Sequence, residues 1–268
     1  HTRLQGDWSS DVCSSDLPDI GERYAAQLDG AIDTLRARGH GTAAFLCDTI
    51  WDSNGTILPP AGYLERAAAA TRAAGGLYIA DEVQAGFYRT GEQLWSFNYA
   101  NVVPDIVTIG KPAGAGHPLA AVITTPAIAA AFAKKYSYFN TFGGNPVSAA
   151  VGNAVLDVLE REHLQQNVIA AGAVLEPGLQ ALRARFPFLA DVRGKGLFWG
   201  LEIVKSEGSI EPDVERADRI INLLRNDGCL LGRTGAFNNV VKIRPPLVFS
   251  PEHAGILLEK LGQALAAS

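Results

Sequence analysis

Lys111 is the residue whose type and position first suggest chemistry. Of the seven lysines in the sequence, only Lys111 directly follows a buried-type apolar strand and opens a glycine-rich loop, residues 111–118. Ligands of parallel α/β sheets bind at the carboxyl ends of the strands. An amine at that edge is partly removed from water, which favours its neutral, nucleophilic form. The pattern therefore predicts a lysine that forms an imine with a carbonyl compound.

An acidic residue is expected at the same edge of the sheet. Asp81 ends the apolar run at 77–80, so its carboxylate should lie near Lys111. A carboxylate beside a pyridine nitrogen favours the protonated ring, which accepts electrons from a carbanion. Val83 can pack against the face of such a ring, and Gln84 can donate to its phenolic oxygen. These are the groups that an enzyme dependent on pyridoxal phosphate (PLP) requires.

Each of these signals also has an ordinary structural explanation. An aspartate at a strand end commonly caps a helix or stabilises a loop, and a lysine after a strand commonly extends into solvent. His117 is a similar case, because it can line the pocket of Lys111 or be a hydrogen-bonded loop residue. Only the combination of amine and carboxylate at one edge favours a catalytic site, and spacing alone does not establish that they meet.

Alternating apolar runs and helical patterns must position these groups. Strands are predicted at 43–47, 77–80, 105–109 and 119–123, and a helix from the Pro59-Pro60 pair to about residue 74. This alternation is typical of crossover connections on a parallel sheet. The predicted fold class is therefore α/β, with a mostly parallel sheet flanked by helices over residues 18–162.

The pattern after Asn145-Pro146 predicts a long helix and then a smaller α+β domain over residues 163–268. The elements expected in that domain are paired helices at about 163–185, a β-rich stretch at 191–204, a helix at 214–227, strands near 229–231 and 240–243, and a final helix from Pro251. At the other end, residues 1–17 contain the near-repeat WSSD and CSSD without apolar periodicity, and the sequence has no methionine. We therefore expect residues 1–17 to be a non-native or disordered tail.

Composition and motifs exclude several other classes of function. A net charge of -5 with mixed signs gives no basic stripe for a nucleic acid. The five histidines show no paired metal-ligand spacing and the three cysteines form no C-x-x-C motif, so no metal site is predicted. The uncharged run at 112–133 is interrupted by prolines and glycines, which argues against a membrane span. With few cysteines and no signal peptide, the expected compartment is the cytosol, that is, a cytoplasmic protein.

Three stretches resemble the linked signatures of class III PLP-dependent aminotransferases, which are enzymes of fold type I. They are IADEVQAGFYRTG at 79–91, VPDIVTIGK at 103–111 and FNTFGGNPVS at 139–148, in the family's order and with similar spacing. The similarity continues through DVRGKGL at 191–197 and KIRPPL at 242–247. The resemblance implies a PLP-transferase large domain, here incomplete, and pyridoxal 5'-phosphate as the cofactor.

The resemblance also implies roles for residues of the first two signatures. Lys111 would be the Schiff-base lysine and, once released, the base that moves a proton between the substrate carbon and the cofactor. Asp81 would pair with the pyridine nitrogen. Gln84 would contact the phenolic oxygen, and Val83 would contact the ring.

Two further roles are implied by the later motifs. Thr141 would reach the cofactor phosphate of the neighbouring subunit, so a homodimer with shared active sites is the expected assembly. Arg244 resembles the arginine that binds a substrate carboxylate, a role suited to the planar fork of a guanidinium group. The expected partners are therefore an amine or amino acid, an oxo acid and a second copy of the chain.

Two departures from the family pattern leave the substrate and the reaction open. Residues 48–55 read DTIWDSNG where many members have a glutamate before an Ile/Val-Gln-Gly turn, a variant associated with the subgroup near amine phospho-lyases. Tyr88 stands where glycine or another small residue is common. A carboxylate and a bulky ring on the substrate side change which molecules fit.

The sequence is therefore compatible with three functions. The leading hypothesis is a transaminase that transfers an amino group from an amine or amino acid to a 2-oxo acid. An alternative keeps the cofactor and eliminates phosphate from a phosphorylated amine. The third is a non-catalytic fragment, because the sequence contains no recognisable serine- and glycine-rich phosphate turn or ring-stacking aromatic; on that hypothesis the 268-residue chain binds PLP poorly.

Overall fold

The computed structural model describes residues 19–268, which form two sheets with helices packed on them. In chain order the elements are α1 (Ile20–Ala37), β1 (Ala44–Asp48), α2 (Asp52–Gly55), α3 (Tyr63–Ala73), β2 (Leu77–Asp81), β3 (Ile106–Ile109), β4 (Ala121–Thr124), α4 (Pro126–Lys135), α5 (Pro146–Arg161), α6 (Leu164–Arg185), β5 (Leu189–Lys195), β6 (Phe198–Ile203), α7 (Val214–Asn226), β7 (Gly232–Thr234), β8 (Val240–Ile243) and α8 (Pro251–Ala266). The tail expected at residues 1–17 lies outside the described residues.

The first sheet has the strand order β1-β2-β3-β4. Strands β1, β2 and β3 run parallel, and β4 runs antiparallel to β3. Helix α3, which connects β1 to β2, packs against both strands. This mostly parallel sheet with flanking helices confirms the predicted α/β fold class. The register pairs Asp48 with Asp81 and Asp81 with Thr108, so the carboxyl ends of three strands form one edge.

Apolar side chains explain why short runs of this sequence become strands of the first sheet. Tyr78 and Ala80 of β2 are fully buried and alternate with partly buried neighbours, which is the two-residue period of a strand. They pack in one cluster with Leu64 and Ala68 of α3. Burial of an apolar side chain contributes roughly 1.5–3 kcal/mol. This cluster therefore holds the ends of the strands in fixed positions.

The second sheet is antiparallel, with the order β5-β6-β8-β7. Helices α6, α7 and α8 surround one continuous apolar core, which includes Val168, Leu175, Trp199, Ile220 and Leu261. Antiparallel strands and helices after residue 163 have the content expected of an α+β unit. The division of the chain into domains at 18–162 and 163–268 stays a proposal.

Helix α6 is a single helix where the sequence predicts paired helices. Pro177 lies inside α6 and lacks the amide hydrogen that a helix interior uses, a cost of about 3 kcal/mol. The buried residues Val168, Ala171, Leu175 and Leu179 follow helical spacing, and this face packs against β5 and α8. Their burial offsets the missing hydrogen bond, so the helix continues through the proline.

Other element boundaries differ from the prediction by a few residues. The helix expected from Pro59 begins at Tyr63, because Gly62 adopts a left-handed φ of 79° immediately before it. The strand expected near 229–231 is β7, which begins at Gly232. Helix α1 has no predicted counterpart.

Two observations bear on membranes and metals. No helix within residues 19–268 combines the length and apolar character needed to cross a bilayer. Over the same part of the chain, no three His, Cys, Asp or Glu residues are grouped as metal ligands would be.

Candidate active site

The candidate site lies at the carboxyl edge of the parallel strands. Strand β2 ends at Asp81, β3 ends at Ile109, and Lys111 begins a short 3₁₀ turn just beyond β3. Because Asp81 is in register with Thr108, the carboxylate and the lysine-bearing turn follow adjacent strands. This is the edge at which parallel sheets bind their ligands.

A cavity of about 540 Å³ opens beside Lys111. Its lining residues are Val83, Ile109, Gly110, Lys111, His117, Pro118, Leu119 and Ala120. The Lys111 side chain is exposed, and its amine has no hydrogen-bond or ion-pair partner among residues 19–268. Binding cavities for small organic molecules have volumes of roughly 300–1,000 Å³. The amine is therefore available to a small molecule in this cavity.

The turn that carries Lys111 has an unusual backbone conformation. Lys111 has a φ of 35°, a left-handed value that residues with side chains rarely adopt. The Ala113 amide donates to the Gly110 carbonyl at 2.9 Å, which closes the turn. Gly114 is required next, since an added Cβ would lie 2.0 Å from the His117 carbonyl oxygen. Strain of this kind costs roughly 1–3 kcal/mol and persists where the surrounding fold enforces it, commonly at functional sites.

His117 anchors the far end of the same loop. Its Nε2 lies 2.7 Å from the Ser148 hydroxyl of α5. The histidine also lines the cavity beside Lys111. Both interpretations of His117 from the sequence therefore apply, because it is a hydrogen-bonded loop residue and part of the cavity wall.

Within the described part of the chain, only one of the two carboxylate oxygens of Asp81, Oδ1, accepts hydrogen bonds. Its Oδ1 accepts a hydrogen bond from the Val83 amide at 3.0 Å and another from the Thr108 hydroxyl at 3.2 Å. Its Oδ2 has no partner within the described part of the chain. The half-buried carboxylate is thus oriented by the protein and keeps one oxygen for a ligand.

The Glu82 side chain stabilises the segment that follows β2 through buried hydrogen bonds. Its side chain is fully buried and accepts hydrogen bonds from the amides of Ser96 and Phe97, both at 2.9 Å, and from the Thr49 hydroxyl at 3.2 Å. Burial raises the pKa of Glu82, and these hydrogen bonds oppose the shift. Because Glu82 directly follows Asp81, the same contacts hold Asp81 in place.

Replacement of Glu82 by alanine is expected to destabilise the fold by about 3 kcal/mol, because several buried donors lose their acceptor. The free energy of unfolding, measured in urea, checks this value. Glu92→Ala is the matched control, since Glu92 is exposed, and it should change stability by less than about 0.5 kcal/mol. Equal stability of the two variants would contradict the role given to Glu82.

The Gln84 side chain donates a hydrogen bond to a buried carboxylate. Its Nε2 donates to Oδ2 of Asp52, at the start of α2. Lys242 of β8 forms an ion pair with the same carboxylate, with 3.2 Å between Nζ and Oδ1. The other end of the amide, the Gln84 Oε1, is buried without a hydrogen-bond partner in the described chain. Asp52 therefore links the candidate site to the second sheet.

Cys47 offers a second nucleophile at the end of β1, and its surroundings argue against that role. The side chain is buried, and its sulfur accepts a hydrogen bond from Trp51 Nε1 at 3.0 Å. Burial raises the pKa of the Cys47 thiol to about 11. Since the thiolate is the nucleophilic form, Cys47 is unreactive at neutral pH.

The structure brings some of the predicted site residues together and leaves others apart. Lys111 and Val83 line the same cavity. Asp81 and Gln84 flank Val83 along the chain but are not part of that cavity lining.

Thr141 and Arg244 are not among the residues that line the cavity beside Lys111. Thr141 is exposed in the segment between α4 and α5. Arg244 is exposed directly after β8, with its Cζ 5.8 Å from the centre of the Phe198 ring. It lines a different cavity, of about 720 Å³, on the second sheet.

The backbone at position 88 explains why glycine is common there, and side-chain packing accommodates the tyrosine of this chain. Tyr88 has a left-handed φ of 61°, a conformation that glycine adopts without strain. Its ring packs against a buried cluster that includes Ala113 and Leu159. The bulky residue is thus accommodated by packing beside the turn of Lys111.

Sequence reasoning missed three residues that organise the site, namely Glu82, Asp52 and Lys242. Glu82 and Lys242 lie within the family-like motifs, and Asp52 lies in the segment at 48–55 noted as a departure. The available signal was a charged side chain, next to Asp81 for Glu82, two positions before Arg244 for Lys242, and within the segment at 48–55 for Asp52. Their partners are distant in sequence and were not accessible to a pattern search.

The profile of the class III aminotransferase family matches residues 14–265. Among curated proteins, the alanine--glyoxylate aminotransferase 2-like protein of Drosophila melanogaster is 43% identical over 251 residues, which are 93% of this chain and 51% of the relative. Alanine--glyoxylate aminotransferase 2 homolog 2 of Arabidopsis thaliana, described as mitochondrial, is 42% identical over 99% of this chain and 54% of the relative. The chain spans about half the length of these curated relatives.

Among solved structures, the fold is similar to that of a phospholyase from Arthrobacter in complex with phosphoethanolamine. The TM-score is 0.92 and the sequence identity is 43%. The similarity covers 96% of this chain and 61% of that chain.

Proposed function

The chain belongs to the class III aminotransferase family, and on that basis we propose that it acts within a PLP-dependent transaminase. The proposed reaction transfers an amino group from an amine or amino acid to a 2-oxo acid. Class III aminotransferases depend on pyridoxal 5'-phosphate, which is the proposed cofactor.

One observation carries this proposal. A lysine amine without a protein partner and a carboxylate with one unbound oxygen follow adjacent parallel strands. These groups fit PLP, because its aldehyde needs an amine and its ring nitrogen needs an acid. Val83 lines the cavity beside Lys111, and a Cβ added at Gly110 would lie 3.6 Å from both of its methyl groups.

When bound, PLP supplies a conjugated ring that withdraws electrons from the substrate carbon. The residues of the chain supply binding and proton transfer. Lys111 Nζ would hold the cofactor and would move a proton to and from the substrate carbon. Asp81 Oδ2 would keep the pyridine nitrogen protonated, because an adjacent negative charge favours the charged ring. Val83 excludes water from one wall of the cavity.

We assign the substrate carboxylate to Arg244. Arg244 and the nearby Arg89 have no acidic ion-pair partner among residues 19–268. Burial, and secondly the charge of Arg244, lower the pKa of Arg89 to about 10. Two guanidinium groups without a counter-ion favour an anionic group on the substrate.

Arg244→Ala is expected to raise KM for carboxylate-bearing substrates about 10- to 100-fold, since a charge-assisted hydrogen bond contributes roughly 1.5–3 kcal/mol. Simple amines should be affected less than about threefold. Steady-state kinetics with an amino acid and with a matched amine measure both values. Arg219→Ala is the control, because Arg219 is an exposed arginine of α7. Equal losses for both substrates would contradict the assignment.

A second candidate function is the elimination of phosphate from a phosphorylated amine. The similar Arthrobacter structure is a phospholyase in complex with phosphoethanolamine, which favours this alternative. The segment at 48–55 departs from the transaminase pattern in the same direction. In this reaction the proton leaves the substrate carbon, the C–O bond to phosphate breaks, and hydrolysis then releases ammonia and a carbonyl compound.

One assay separates the two functions. The holoenzyme is incubated with phosphoethanolamine, and with an amino acid and a 2-oxo acid in a separate reaction. Transamination predicts a new amino acid only when the 2-oxo acid is present. Release of phosphate and ammonia without any oxo acid would remove the transaminase proposal and support the lyase.

We also propose a homodimer with shared active sites, in which Thr141 binds the cofactor phosphate of the partner. The segment around Thr141 exposes an unusual number of large apolar side chains: Val122, Ile123, Phe132, Tyr136, Tyr138, Phe139, Phe142 and Val147. Phe139 is 85% exposed. Exposed apolar surface of this extent is typical of a protein interface.

The compartment stays a prediction. The composition favours the cytosol, but the Arabidopsis relative is described as mitochondrial. A fluorescent fusion of the native gene product, imaged in its own cells, would decide between these compartments.

A further inference from the structure

Asp52 is a buried carboxylate near the candidate site whose two oxygens both accept hydrogen bonds. It is only 2% exposed, and its side chain accepts hydrogen bonds from Gln84 Nε2 and from Lys242 Nζ, the latter at 3.2 Å. Its amide donates to Asp48 Oδ2 at 2.8 Å, and its carbonyl accepts from the Thr234 hydroxyl at 2.9 Å. Side chain and backbone are both held, so Asp52 has a fixed orientation toward Gln84.

The chemistry of a carboxylate decides which end of the Gln84 amide faces Asp52. An ionised carboxylate only accepts hydrogen bonds, and only the nitrogen of an amide donates them. Nε2 must therefore face Asp52, and Oε1 is the end that is buried without a partner. The nitrogen carries two hydrogens, of which Asp52 uses one. The second hydrogen has no acceptor in the described part of the chain, so it is the donor that Gln84 has left for a ligand.

Lys242 of β8 forms an ion pair with Asp52, with 3.2 Å between Nζ and Oδ1. The ammonium group of a lysine only donates hydrogen bonds, so the Asp52 oxygens are the acceptors of this contact. Both side-chain contacts of Asp52, with Lys242 and with Gln84, therefore use its carboxylate as the acceptor.

We propose that Asp52 is a positioning residue that holds Gln84 as a hydrogen-bond donor toward the phenolic oxygen of the cofactor. The inference rests on the proposed PLP site and assigns a role to a residue outside the family-like motifs. A donor to the phenolic oxygen stabilises its negative charge. The protonated imine nitrogen donates a hydrogen bond to the same phenolic oxygen. A second donor to that oxygen weakens this hydrogen bond, so it lowers the pKa of the imine nitrogen.

The test is Asp52→Asn in the holoenzyme, because an asparagine can donate to Gln84 Oε1 and lets the amide reverse. The pKa of the imine between Lys111 and the cofactor, read from visible absorbance against pH, should rise by about one unit. Gln84→Met should give the same rise, and the double variant no further rise, since Asp52 acts through Gln84. Asp33→Asn is the matched control, because Asp33 is an exposed aspartate of α1, and it should leave the imine pKa unchanged.

A wild-type imine pKa in Asp52→Asn, or additive shifts in the double variant, would overturn the inference. Covalent attachment of the cofactor to Lys111→Ala after borohydride reduction would instead contradict the proposed function, so the two failures are distinguishable. The chain without cofactor gives an independent test by NMR. The side-chain amide protons of Gln84 should exchange with solvent at least about tenfold more slowly in the wild type than in Asp52→Asn. Equal exchange rates would also overturn the inference.

Discussion

Lys111→Ala is expected to lower the rate of amino transfer at least about 1,000-fold. The variant loses the amine that binds the cofactor covalently and the base that moves the substrate proton, and a positioned base alone contributes roughly 100- to 10,000-fold. The measurement is kcat with saturating cofactor. It is combined with borohydride reduction and peptide mass spectrometry, which should find the cofactor on Lys111 in the wild type only.

The control for this prediction is Lys205→Ala. Lys205 is an exposed lysine between β6 and α7, and its loss should change kcat by less than about twofold. Lys111→Arg adds a second comparison, because arginine keeps the positive charge but is not a nucleophile at neutral pH. Substantial activity in Lys111→Ala, or cofactor attached to another lysine, would contradict the assignment of Lys111.

The first sheet illustrates what a sequence pattern can predict. Strands β1, β2 and β3 were predicted to within one residue at each end, because each is a short apolar run bounded by polar or glycine residues. The turn at Lys111 follows from the same logic, since the residue after a buried strand must lie at the sheet edge. Helix α6 was predicted less well, because whether a helix continues through Pro177 depends on packing against α8 and β5.

The environment of Gln84 shows why part of the site could not be predicted. The ion pair between Asp52 and Lys242 joins residues 190 positions apart, and neither belongs to a local pattern of hydrophobic spacing. The pair exists because α2 packs against β7, the strand next to β8 in the second sheet. Such a contact depends on how two units of the chain meet, and no periodicity within either unit contains that information.

Asp81→Asn is expected to lower kcat about 100-fold. The asparagine can keep the contacts of Oδ1 with the Val83 amide and the Thr108 hydroxyl, so the fold should be unchanged. A neutral amide stabilises a protonated pyridine nitrogen much less than a carboxylate does, and a hydrogen bond to a charged group contributes roughly 1.5–3 kcal/mol. Single-turnover kinetics with a deuterated substrate carbon test whether the loss lies in proton removal.

A cofactor analogue methylated on its ring nitrogen separates the charge of Asp81 from its packing. The analogue is permanently positive, so it does not need Asp81 to remain charged, and the difference between wild type and Asp81→Asn should shrink to less than about tenfold. Thr108→Val is the control, since it removes a neutral donor to Asp81 and leaves the carboxylate in place. If kcat of wild type and Asp81→Asn still differed 100-fold with the analogue, the effect of Asp81 would come from its packing and not from its charge. Full activity of Asp81→Asn with natural PLP would show that Asp81 is not a residue of the active site.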